Sequence, residues 1–193
     1  ELPPVAAYHE IIRAPEGGAT ADGAYDPTRC DVYYQGKLSP DFYAWVFPHG
    51  DTLSVGVGTE IKGFSLHKAV DDLRRETGLD QCETLRREGA PIPLHPLDKW
   101  DNDRDLVLAG DAAGVVAPAS GEGIYYALLG GRLAGDAVEE FLVTGDARAL
   151  ATARKRFMKD HGRVFWVLGM MQRFWYKNDK RRERFVSLCD DPD

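Results

Sequence analysis

"LVLAGDAAGVVAPASGEGIYYALLGGRLAGD", residues 106–136, decides how this chain is read. Apolar residues run into Gly110-Asp111, tiny side chains follow, then Pro118, then Gly121-Glu122-Gly123, then an apolar stretch of helical composition. Residues 105–109 read as a short strand buried on both faces, because polar alternation is missing. Asp111 then stands at the strand's carboxyl end, where open α/β sheets place ligands, and a carboxylate there can accept hydrogen bonds from ligand hydroxyls. Ala112, Ala113 and Gly114 carry too little bulk to block a close-lying ligand. Pro118 fixes the loop, while Gly121 and Gly123 allow positive φ and close backbone approach. A helix from about 122 to 143 begins with unpaired N–H groups and a positive dipole end, suited to an electron-rich oxygen or an anionic ring. The plain alternative is a tight strand-loop-helix connection in which Asp111 only caps the turn. The whole string weighs against that, although a lone Gly-Asp would not.

Upstream, residues 5–14, 30–36, 43–49 and 52–60 read as strands, the last two joined through a Gly50-Asp51 hairpin turn. Together they predict an antiparallel sheet with aromatics on one face. Residues 65–77 fit a helix with Ser65 as N-cap, Gly78 as stop and Leu66, Ala69, Val70 and Leu73 as its buried stripe. "GAPIPLHP" (89–96) is extended, since its prolines exclude a helix. Two basic, aromatic-rich helices are predicted between about 147 and 187, interrupted near Gly162 or Gly169. The regions are an antiparallel sheet region over 1–100, a strand-loop-helix segment over 101–145, and a basic aromatic helical tail over 146–193. The fold class is α+β.

Charge is divided unevenly. Residues 1–145 carry 12 Lys+Arg against 24 Asp+Glu, a net of −12, whereas residues 146–193 carry 12 against 7, a net of +5. A basic tail on an acidic body could meet nucleic acid, an anionic membrane surface or its own body. Nucleic acid is the least favoured of the three and is not expected as a partner, because no binding motif accompanies the charge. The longest apolar run there, "VFWVLGMM" (164–171), is far short of the roughly 20 residues of a spanning helix. Cys30, Cys82 and Cys189 form neither a metal pair nor a disulfide framework, which fits reduced thiols in a cytoplasmic setting. No cationic leader opens the chain, and its first residue, Glu1, suggests a piece cut from something longer. His9, His49, His67, His95 and His161 lack metal spacing; His49, beside the hairpin, is the one to test.

A second motif lies in "YAWVFPHGDTLSVGVG" (43–58). Period-two spacing puts Tyr43, Trp45 and Phe47 on one face of a strand, a flat apolar wall with polar handles on two of the rings. Gly56 and Gly58 remove side chains from one face of the neighbouring strand. A wall facing a bare groove would hold an extended apolar chain. The alternative is a half-buried sheet face packed on the helix at 65–77.

These residues carry a resemblance. "GDAAGVVAPASGEGIYYAL" resembles the second flavin-binding motif of FAD-dependent oxidoreductases with the p-hydroxybenzoate hydroxylase fold. The resemblance implies that Gly110 and Asp111 face the ribityl hydroxyls of FAD, and that Pro118, Gly121, Gly123 and Ile124 lie along the flavin ring. Gly114 stands where hydroxylases of this group usually have His. Tyr43-x-Trp45-x-Phe47-Pro48 followed by Gly56-x-Gly58 resembles the signature of the geranylgeranyl reductase family, whose isoprenoid pocket these residues line. "AYHEII", "YDPTRCDVYY" and the C-terminal "RFMKDHGRVFWVLGMMQRFWYKNDKRRERFVSLC" are similar to its chlorophyll and bacteriochlorophyll branch. One element departs: no G-x-G-x-x-G pyrophosphate clamp occurs, which implies that FAD binding needs chain beyond these residues.

The resemblance implies a reductase in which FAD, reduced by NADPH, passes a hydride to an isolated alkene of a geranylgeranyl diphosphate or a pigment ester, with a proton completing the saturation. Tyr43 or a water is the candidate proton donor. Two other readings stay open: a flavin hydroxylase or halogenase of the same fold, and a non-catalytic isoprenoid-binding piece.

Overall fold

Antiparallel pairing of short aliphatic and aromatic strands dominates the first half of the chain. The structure, a computed structural model, describes residues 5–20 and 23–189. The outer edges of the first and third sequence regions, residues 1–4 and 190–193, lie outside the described residues. The chain divides into two units, one of residues 92–173 and one of residues 5–91 with 174–189.

The sheet unit holds β1 (Val5–Arg13), β2 (Asp31–Tyr33), β3 (Ala44–His49), β4 (Thr52–Thr59) and β5 (Thr84–Ile92) in the order β2-β3-β4-β1-β5. Gly50 takes φ +74° at the turn between β3 and β4, as a two-residue hairpin requires. β4 lies between β3 and β1, and its register sets Gly56 opposite both Trp45 and His9. One face of the sheet presents Tyr8, Ile12, Val46, Leu53, Val55 and Val57 to helix α1 (Leu66–Glu76), which contributes Ala69, Val70 and Leu73. Each such side chain, fully buried, stabilises by about 1.5–3 kcal/mol. Ser65 Oγ accepts from Lys68 N at 3.3 Å to cap the helix, and Gly78, at φ +68°, lets the chain turn away. The aromatic residues of β3 therefore lie on the face turned away from α1.

Glu10 is the exception in this core. Its buried carboxylate accepts from Tyr8, Arg74, Arg87 and Thr84. Burial alone would push its pKa up, but these four donors hold it below the ordinary carboxylate value.

In the second unit, residues 105–109 do not form a ladder strand. Asp105 and Leu106 are exposed and residues 107–109 half-buried, with a single bridge between Asp101 and Val107, and Gly110–Ala113 turn as a 3₁₀ helix. Apolar residues become a central strand only where strands flank them on both sides. Here the segment bridges Asp101 and hydrogen-bonds Trp100 and Asn102, while Val107 and Leu108 pack against the core around Trp100 and Phe157. Helix α2 (Ile124–Thr144) follows as expected. The tail differs from expectation: α3 (Thr152–Trp175) runs unbroken through Gly162 and Gly169. An isolated glycine costs a helix only about 1 kcal/mol, and packing around Phe157 and Phe165 offsets it. The break falls instead at residues 176–178, where Asn178 Oδ1 accepts from Arg181 N at 3.0 Å and starts α4 (Asp179–Cys189).

Candidate functional site

Two clusters of sequence-predicted residues form, one in each unit. In the sheet unit, Tyr43, Trp45 and Phe47 are half-buried in a row. Tyr43 and Trp45 meet edge to face at 6.1 Å between centroids, and Trp45 stacks on Phe47 at 6.1 Å. Pro48 is one residue out of step and, by strand alternation, belongs to the opposite face, paired with Leu53.

Gly56 and Gly58 do not leave a bare groove. A Cβ on Gly56 would collide with the indole of Trp45 and lie 2.7 Å from His9 Cβ; one on Gly58 would lie 2.8 Å from both Phe42 Cδ1 and Val5 Cγ1. The glycines admit the protein's own rings, so the surface open to a ligand is the outer side of the aromatic row. Trp45 is pinned there: its Nε1 donates to Ser54 Oγ at 3.0 Å, and Ser54 Oγ lies 2.9 Å from His9 Nδ1. His9 Nε2 in turn lies 3.0 Å from Glu88 Oε2.

Sequence reasoning missed these partners. His49, singled out beside the hairpin, is exposed, whereas His9 reaches the wall. The available signal was parity: Ser54 shares a face with Gly56, and His9 lies opposite Gly56 in the register. Also missed were Phe42, stacked beneath Tyr43 at 4.1 Å, and Tyr34, edge-on to Tyr43 at 5.9 Å. Burial pushes the Tyr43 phenol up to about 12, so it keeps its proton at neutral pH.

In the other unit, Gly110 and Gly114 take φ +58° and +78° on either side of the Asp111 turn. The Asp111 carboxylate is exposed, makes no hydrogen bond or ion pair among the described residues, and lies 3.7 Å from a Cβ position on Gly123. Pro118 is buried, and the loop closes through Gly121 N to Ala117 O at 3.0 Å and Ala117 N to Glu122 O at 2.8 Å. Only Gly121 of the Gly-x-Gly pair has a positive φ, +67°; Ala119 shares that region at +69°. The start of α2 is less open than expected, because Glu122 Oε1 accepts from Tyr125 N at 2.8 Å. Ile124, its first residue, is exposed. A Cβ on Gly114 would collide with the carbonyl oxygen of His95, which excludes the histidine that hydroxylases carry there. An exposed, unpaired carboxylate bordered by Ala112 and Gly123 fits a hydroxyl-bearing group such as the FAD ribityl chain.

No protein-family profile matches the chain. Over all 193 residues it is 61% identical to geranylgeranyl diphosphate reductase of Rhodobacter capsulatus, of which it covers 48%. It is 35% identical to the enzyme of that name from Synechocystis over 97% of the chain, and 30% identical to digeranylgeranylglycerophospholipid reductase of Methanocaldococcus jannaschii over 79%. The chain thus spans about half the length of the curated relatives it matches. Among solved structures, a geranylgeranyl bacteriochlorophyll reductase-like protein from Thermoplasma acidophilum superposes with a TM-score of 0.75 at 21% identity, over 92% of this chain and 44% of the other. A flavin-dependent halogenase gives 0.52 at 16%, over 97% and 38%, a likeness of fold. On the 61% identity that runs from its first residue to its last, the chain belongs to the geranylgeranyl reductase family.

Proposed function

We propose that the protein carrying this chain is an FAD-dependent reductase that saturates isolated C=C bonds of a geranylgeranyl group to give a phytyl group in chlorophyll or bacteriochlorophyll synthesis. The observation that carries the reading is the whole-chain identity to a geranylgeranyl diphosphate reductase, joined to an aromatic row whose outer side suits an extended prenyl chain.

FAD, when bound and reduced by NADPH, supplies the hydride. The residues of this chain do the rest. Asp111 accepts from ribityl hydroxyls, Gly110 and Gly121 give the backbone its turns, and Gly123 keeps bulk away from the carboxylate. Tyr43, Trp45 and Phe47 orient the chain and exclude water, since an unactivated alkene needs close control of its distance to the donor. Tyr43 holds a proton on its phenol oxygen, ready for the carbon that does not receive hydride. Exposed Trp166, Met170 and Met171 on the basic tail support contact with a membrane surface where a lipidic substrate resides. Among the described residues no helix is long and apolar enough to cross a membrane.

The halogenase likeness supports a second reading, oxygen-dependent chemistry on an aromatic substrate. Incubating the flavin-loaded protein with NADPH and either geranylgeranyl diphosphate or its pigment ester, then weighing the products, separates them. Stepwise gain of hydrogen is expected. Unchanged mass on both substrates, or incorporation of oxygen or halide, would overturn the reductase.

A further inference from the structure

We infer that Tyr34 and Tyr176 form the end wall of the aromatic row and set the length of prenyl chain it accepts. The inference rests on the reading of that row as the prenyl site.

The row starts at Phe47, which is half-buried and lies next to the exposed hairpin residues His49 and Gly50; among the described residues the ring stacked on it is Trp45. The other end is closed. Tyr33 pairs with Ala44, so the next residue, Tyr34, arrives beside Tyr43, and the rings meet edge to face at 5.9 Å. Tyr176, only 3% exposed, lies 5.6 Å from the Tyr34 ring and 6.3 Å from Phe42, which itself stacks on Tyr43. Phe185 of α4 backs Tyr34 from a further side at 5.3 Å. An apolar chain laid along Phe47, Trp45 and Tyr43 thus runs into a packed block of rings.

The block is anchored, as an end wall must be. Arg182, 2% exposed, donates to the carbonyl of Tyr176 at 2.8 Å, to the carbonyl of Pro40, and to Asp179 at 2.7 Å. Asp179 Oδ1 also accepts from Gly36 N at 3.2 Å. A Cβ at position 36 would lie 2.7 Å from both Arg182 Nη1 and Asp179 Oδ1, so a side chain there would displace the ends of this anchoring pair. A buried cation held by carbonyls and a carboxylate does not slide, since each lost partner would leave charge uncompensated. The end of the tail, which sequence alone offered to a membrane surface or to the protein's own body, thereby supplies a wall of the site.

The test uses the flavin-loaded enzyme with farnesyl, geranylgeranyl and geranylfarnesyl diphosphates. Wild type is expected to discriminate against geranylfarnesyl; Tyr34→Leu and Tyr176→Leu are expected to shift the kcat/KM preference toward it by at least about tenfold, the scale of one misfitted apolar group. Tyr176→Phe, which keeps the ring, should leave the preference unchanged. Equal preference in wild type and both leucine variants would overturn the end wall. Should wild type reduce none of the three, the reductase reading falls separately, and quenching of Trp45 fluorescence by the same series still decides the wall. Affinity that breaks off at geranylfarnesyl in wild type but not in Tyr34→Leu supports it; affinity that rises steadily through geranylfarnesyl in wild type refutes it.

Discussion

The indole of Trp45 occupies the space that any side chain on Gly56 would need, and its Nε1 donates to Ser54 Oγ at 3.0 Å. The two contacts make one prediction. Gly56→Ala should cost about 1–3 kcal/mol in urea unfolding, because the His9 Cβ cannot yield without moving backbone and the indole can yield only by giving up its hydrogen bond to Ser54. Ser54→Ala should cost about 1 kcal/mol, the ordinary worth of a hydrogen bond, while shifting Trp45 emission. An unshifted emission spectrum in both variants would mean the ring is not pinned there.

Gly114 offers a test of why this chain lacks the hydroxylase histidine. Its φ of +78° and the His95 carbonyl against its Cβ position penalise any side chain. Gly114→His should lose more than about 2 kcal/mol of stability, combining backbone strain with overpacking. A thermal melt close to wild type would show that the loop has room after all.

For Asp111 the expectations for stability and for cofactor part company. The carboxylate is exposed and unpaired among the described residues, so Asp111→Ala should leave stability within about 0.5 kcal/mol of wild type. Flavin bound per purified protein should fall nonetheless, read from the visible absorbance band. Full flavin content would remove Asp111 from the cofactor site.

The Glu10 cluster predicts acid sensitivity. The native pKa of Glu10 lies below its ordinary value of 4.5, so the unfolded chain takes up this proton first as pH falls. Its contribution is therefore fully present above about pH 4.5 and is lost below that, as pH passes down through the depressed native value. Glu10→Gln should flatten this part of the stability–pH curve. Arg74→Met, which removes the buried cation but leaves Glu10 its bonds from Tyr8, Thr84 and Arg87, should cost about 1.5–3 kcal/mol at neutral pH.

Much of this architecture could be read from the residues alone. Four of the five strands and the Gly50 turn were legible, β5 was not, and Ser65 and Gly78 bracketed α1 within a residue. Composition misled at residues 105–109, where an apolar run looked like a central strand although strandhood depends on neighbours that a local pattern cannot reveal. It misled again at Gly162 and Gly169, because tertiary packing overrides the weak penalty of glycine in a helix. In the site, the aromatic row followed from period-two spacing. The partners that fix it, His9 from β1 and Tyr176 after α3, are brought in by sheet register and by the tail, which lie outside any short window of sequence.

The sheet's two rims differ in how they are finished. β2 has only three residues, and β5 at the other margin is exposed along nearly its whole length, with Arg86 and Glu88 paired at 3.0 Å and Pro91 withholding a donor. Neither rim offers a long, flat, uncharged template on which a foreign strand could register. Among the described residues, then, backbone-to-backbone pairing with a neighbouring molecule has no long uncharged rim to start from, and contacts between copies would be made through side chains.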